Sequence, residues 1–130
     1  YATMHAAVKL SELAVGIGPF VVGPACERKL GLAGMSDLAI NATEWRSAEW
    51  AFQRGLYNDI FEDAATMDAA IEALASRLLT KSVPAMRGLK KVFWEGTEHW
   101  DELLAERAAI SGELILSKEA KDAIGAFKSR

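Results

Sequence analysis

Only one cysteine, Cys26, occurs in the 130-residue chain, so no internal disulfide can form and a reducing compartment is the simplest setting. The two histidines, His5 and His99, lie far apart and have no cysteine companions. That leaves no zinc-type ligand spacing, and no metal site is expected. Apolar runs are short, and none approaches the roughly 20 residues that a bilayer span needs. Positive charge is not in excess either. A net charge of −3 provides no global field toward nucleic acid or an anionic membrane, so neither is an expected partner. Internal repeats, linkers and low-complexity segments are lacking. The first residue is tyrosine, and "YATMHAAVKL" has the make-up of neither a signal peptide nor a transit peptide. The chain is therefore expected to be a piece of a longer, cytoplasmic protein.

What is present is the material of one folded domain. Half of the residues are apolar (51%) and a quarter are charged, a balance that disfavours disorder and suffices for one core. The stretch "KLSELAVGIGPFVVG", residues 9–23, holds a single acid, Glu12, among Leu10, Leu13, Val15 and Ile17. Two readings are open. Glu12 either ends a strand and points into water, or it sits where hydration is lost and serves as an acid or base.

Local patterning describes a mostly helical chain with scraps of strand. "HAAVKL" can be extended, and Gly16, Gly18, Pro19 and Gly23 forbid a regular helix until about Val21. A short helix then runs to Leu30 with Gly31 as its stop, and "MSDLAIN" forms another behind Ser36 as a cap. Ser47 caps "AEWAFQR", with Glu49 in the first turn and Gly55 at the end, before a short extended "LYNDIF". Met67, Ile71, Leu74 and Leu78 repeat at helical spacing behind Thr66. Ser82 and Pro84 open a helix carrying Met86, Leu89 and Phe93 on one side. Thr97 is placed as the cap of a longer helix with Trp100, Leu103, Leu104, Ala108, Ser111 and Leu114 along a face, and Ser117 as the cap of the last one. Amphipathic helices need a surface to cover, and this chain offers little sheet of its own.

Several stretches, in order and at suitable spacing, resemble one family. Tyr1-Ala2, then Glu12, Gly16, Pro19 and Gly23, resembles the strand-to-loop pattern around the second catalytic glutamate of the crotonase superfamily, the enoyl-CoA hydratases and isomerases. "RSAEWAFQRGLYNDIF" is similar to that family's Ser-Ala helix turn, Gly-Leu and short strand. "SVPAMRGLKKVF" resembles its helix entered through a proline and carrying a lysine, and "LSKEAKDAIGAF" its closing helix. Two positions depart from the pattern: Ser11 stands where the family commonly has proline, and Phe20 where it has glycine.

The resemblance implies an α+β fold, mostly helical in this chain: the C-terminal half of a crotonase-like ββα spiral. Residues 1–65 would complete the spiral core with its glycine/proline active-site loop, and 66–130 would form a helical trimerisation region. It implies an acyl-CoA enzyme, an enoyl-CoA hydratase, with a family isomerase as the alternative. Glu12 would be the general acid/base, and Gly16, Pro19, Phe20 and Lys128 would bind substrate. Phe20 would narrow the acyl pocket. No cofactor is implied, because coenzyme A is part of the substrate. Its phosphates call for basic residues, of which Arg28, Lys29, Lys128 and Arg130 are candidates. The partners implied are a homotrimer or hexamer and an N-terminal half that supplies the other glutamate and the oxyanion donors. A different class stays open as well: a noncatalytic helical interaction module in which Glu12 is incidental. Trp45, Trp50, Trp94 and Trp100 read as core or interface anchors. Cys26 reads as a small buried hydrophobe, and His99, Asp101 and Glu102 as surface residues.

Overall fold

The computed structural model describes residues 1–128, and side chains through residue 126. Among the described residues, four two-residue strands make two separate pairings. Strand β1 (Ala2–Thr3) runs parallel to β4 (Ile60–Phe61), and β2 (Ala7–Val8) pairs antiparallel with β3 (Arg46–Ser47) in the register Ala7 to Ser47 and Val8 to Arg46. Between β2 and the first helix lies a 3-10 turn, Glu12–Val15. The helices are α1 (Gly23–Ile40), α2 (Ala48–Gln53), α3 (Ala64–Leu79), α4 (Val83–Phe93), α5 (Trp100–Ile115) and α6 (Lys118–Lys128). The mostly helical reading holds. Among the described residues, no helix is long and apolar enough to cross a membrane.

Local chemistry explains most of the boundaries. Gly31 takes φ 68° and ψ 168°, outside the helical region, and breaks α1 in two, as a glycine stop should. The second half restarts immediately, however, so Ser36 lies inside the helix and donates to the Leu32 carbonyl at 2.6 Å instead of capping. Ser47 accepts from the Trp50 N–H at 3.2 Å, Ser82 from Ala85 at 3.4 Å and Ser117 from Ala120 at 3.1 Å, the capping expected of each. The cap of α3 is Asp63, not Thr66. Asp63 has the extended backbone (φ −142°, ψ 174°) that a cap needs, and Thr66, three residues on, bonds back to it in a reciprocal box. Thr97 is not a cap either: its hydroxyl donates to the Trp94 carbonyl at 2.6 Å and helps close the end of α4.

Burial is concentrated in the first half. Ala2, Leu30, Met35, Leu38, Ala42, Ala48 and Ala51 are buried, and Ala120 of α6 joins them. The set is dominated by alanine, which lets elements approach closely. Asp37 of α1 ties down β3 through a 2.6 Å ion pair to Arg46, and it accepts from the Asn41 amide at 2.7 Å. By contrast α3, α4 and α5 contain no buried residue. Leu79, Phe93 and Leu116, each more than 60% exposed, leave apolar surface uncovered on that side.

Candidate functional site

The β2–β3 ladder delivers the chain to residue 9, and the 3-10 turn then folds it sharply. Ala14 donates to the Ser11 carbonyl at 3.1 Å, Gly16 to Leu13 at 3.2 Å and Ile17 to Glu12 at 3.0 Å. Gly16 ends the turn with φ 76°, the left-handed conformation that glycine adopts without penalty. A β-carbon there would lie 3.1 Å from the Ala120 Cα, so the glycine also allows α6 to seat against the turn. Beyond it, Phe20 N–H donates to the Gly18 carbonyl at 2.8 Å across Pro19, a γ-turn suited to proline's fixed φ. This turn lays the Phe20 ring over Gly18, where a β-carbon would meet ring atoms at 2.5 Å.

Glu12 is half-buried on the turn, not at a strand end. Its Oε2 is sealed from solvent and accepts no hydrogen bond among the described residues. Such an oxygen is destabilising as it stands, and a ligand donor would relieve it. The thiol of Cys26 is pushed up from its ordinary pKa, first by burial and then by the negative charge of Glu12. Cys26 is half-buried.

A cavity of about 640 Å³ opens beside the turn. Ala14 and Val15 form one wall, Ala123 and Ala126 of α6 another, and Lys9, Ser11 and Thr43 supply its polar atoms. Ser11 and Ala14 bracket Glu12 in sequence, although Glu12 itself is not among the lining residues. Pro19 and Phe20 lie elsewhere, on a recess of about 220 Å³ shared with Met35 and Ala39 of α1 and Arg107 of α5. Glu12 and Gly16 sit on the turn, while Pro19 and Phe20 line the second recess. The Lys128 side chain and Arg130 lie outside the described residues.

The other basic candidates are engaged with the protein. Arg28 donates to the Phe93 carbonyl and, at 3.3 Å, to that of Glu95, and its guanidinium lies 5.9 Å from the Trp94 ring. It therefore closes the carbonyl end of α4, where a cation is favoured. Lys29 reaches Asn58 at 3.4 Å. Trp94 meets Trp100 edge-on at 5.8 Å, and Trp50 lies under Arg54 at 4.4 Å. Trp45 is 62% exposed and anchors no core; Lys9 rides over its ring at 4.6 Å. His99, Asp101 and Glu102 are exposed, as expected. Sequence reasoning passed over Lys9 and Thr43. Lys9 stood within the quoted loop, but nothing local signalled that α6 would close a cavity against it.

Comparison with solved structures places this arrangement. The structure of OdaA from Pseudomonas aeruginosa superposes with TM-score 0.86 at 28% identity, covering 98% of this chain and 52% of that one. An enoyl-CoA hydratase/isomerase from Pseudoalteromonas atlantica T6c gives 0.87 at 21% identity, covering 99% and 52%. An enoyl-CoA hydratase from Mycobacterium avium gives 0.85 at 24%, covering 95% and 48%. This is the helical C-terminal half of the crotonase fold. The chain spans about half the length of the structures it matches. No protein-family model matches the sequence, and no curated protein does. Within the crotonase fold, the 3-10 turn, α1 and α6 are the elements that hold the Glu12 region together.

Proposed function

We propose that the protein is an acyl-CoA enzyme that adds water across the 2,3-double bond of an enoyl-CoA thioester. Carbon 3 of such a thioester is electrophilic because the carbonyl oxygen can take up the electron pair as an enolate. Water attacks carbon 3 and loses a proton, the enolate oxygen is held by backbone N–H groups, and carbon 2 then gains a proton. Glu12 is the general acid/base of this scheme, donating to or taking from the carbon beside the thioester. The oxyanion donors and the partner glutamate lie outside these 130 residues, so this chain alone is expected to be inactive. Coenzyme A enters as part of the substrate.

One observation carries the reading: a carboxylate oxygen sealed without a partner among the described residues, on a turn that walls a cavity of about 640 Å³, in the crotonase fold. The apolar surface left open on α3–α5 supports a further part of it, assembly into a homotrimer or hexamer. A family isomerase is the alternative activity, since one carboxylate is enough to move one proton between carbons. The experiment is a panel of enoyl-CoA substrates on the longest available form, followed by loss of the enoyl absorbance. Glu12→Gln should lower the rate by about 10²–10⁴-fold, the usual scale of general acid–base catalysis. Unchanged turnover in Glu12→Gln would refute the role of Glu12, and full-rate turnover by the isolated 130 residues would refute the division of the site.

A further inference from the structure

We infer that Lys9 is an anion-binding residue of the cavity beside Glu12, and that the acyl thioester taken there carries a negative group which Lys9 meets. The inference rests on the acyl-CoA reading above and adds a substrate requirement to it. Among the described residues, Lys9 is the one charged side chain lining this cavity, whose walls are otherwise alanine, valine and two hydroxyl residues. It is half-buried and forms no ion pair or hydrogen bond among the described residues. Its ammonium instead lies 4.6 Å from the centroid of the Trp45 ring. A ring face attracts a cation without neutralising it, so the charge and the N–H donors stay available to a ligand while the stem is held in place.

Position makes the charge useful. Lys9 precedes Glu12 by three residues, and an extended chain covers at most about 3.3–3.6 Å per residue. The two backbones are therefore within about 10 Å, and the intervening Ser11 lines the same cavity. A ligand with its reacting carbon at Glu12 can thus present an anion to Lys9. Two groups of an acyl-CoA supply that chemistry: a carboxylate at the far end of the acyl chain, or a phosphate of the nucleotide.

Titration calorimetry on the longest available form separates the sources. The ligands are butyryl-CoA, glutaryl-CoA and the N-acetylcysteamine thioester of glutarate, which has no phosphate. The proteins are wild type, Lys9→Met, which keeps an apolar stem over Trp45, and Lys9→Arg, which keeps the charge. If Lys9→Met weakens both CoA ligands about tenfold, the scale of one charge-assisted contact, and Lys9→Arg restores them, the anion is a phosphate. If only the two glutaryl ligands weaken, it is the acyl carboxylate. Equal binding of all three ligands by wild type and Lys9→Met overturns the inference. Failure of wild type to bind any of the three overturns the acyl-CoA reading itself, and this inference with it.

Discussion

Replacing Gly16 with alanine tests the packing on which the site depends. The backbone at Gly16 has φ 76°, and placing a β-carbon in that left-handed region costs about 1–2 kcal/mol. Steric crowding adds to this. The new β-carbon would lie 3.1 Å from the Ala120 Cα and 3.3 Å from its Cβ and its backbone nitrogen. Ala120 is 0% exposed and its backbone belongs to α6, so no flexible side chain can swing aside. Overpacking of this kind typically costs about 1–3 kcal/mol. The sum, roughly 2–5 kcal/mol, is a large part of the roughly 5–15 kcal/mol that stabilises a domain. Urea unfolding followed by tryptophan fluorescence should show a clearly lower midpoint with an unchanged slope. Because α6 carries Ala123 and Ala126 on the cavity wall, the same substitution should weaken acyl-CoA binding. An unfolding free energy within about 0.5 kcal/mol of wild type would mean that α6 does not seat on the turn, and the cavity would have no second wall.

Three further outcomes follow from the same geometry. Gly88→Ala, inside α4 with nothing within 4 Å of the added carbon, should stabilise the protein by about 0.5–1 kcal/mol, read as a rise in melting temperature; a fall would show that α4 is not helical there. Cys26 should react with iodoacetamide more slowly than an ordinary thiol at pH 8, because burial and the Glu12 charge both leave less thiolate. Glu12→Gln should speed the reaction, and an unchanged rate by mass spectrometry would separate the two groups. Asp63→Ala should lower the melting temperature at pH 7. The Thr66 N–H, and then the Thr66 hydroxyl, hold the Asp63 carboxyl below its ordinary value. Its contribution is therefore full above the unfolded aspartate value and fades as pH falls through the folded one. The gap between variant and wild type should close in acid, and a gap that persists there would rule out the charged cap.

Serines 47, 82 and 117 were legible as caps, and Gly31 and Gly55 as breaks, because each acts on backbone groups within four residues. Errors arose where two nearby residues could do one job. Thr66 and Asp63 both suit a helix start, and backbone conformation chose Asp63. Ser36 suits a helix start only if Gly31 is a full stop, whereas the helix resumes at once. Arg28 looked available for a phosphate. Its engagement with α4 spans 65 residues of chain and left no mark on local composition.

The order of residues alone settled the helical character, most of the capping, the glycine-broken loop and the resemblance carried by Glu12, Gly16, Pro19 and Gly23, since these depend on backbone preference and short spacing. Tertiary structure decided that α6 lies on the Glu12 turn through Gly16 and Ala120, that Lys9 shares the resulting cavity, and that Phe20 turns to a different recess. Residues 16 and 120 meet because a glycine and an alanine leave room for close approach. Contacts over that separation are selected by packing of the whole chain, which no local pattern encodes.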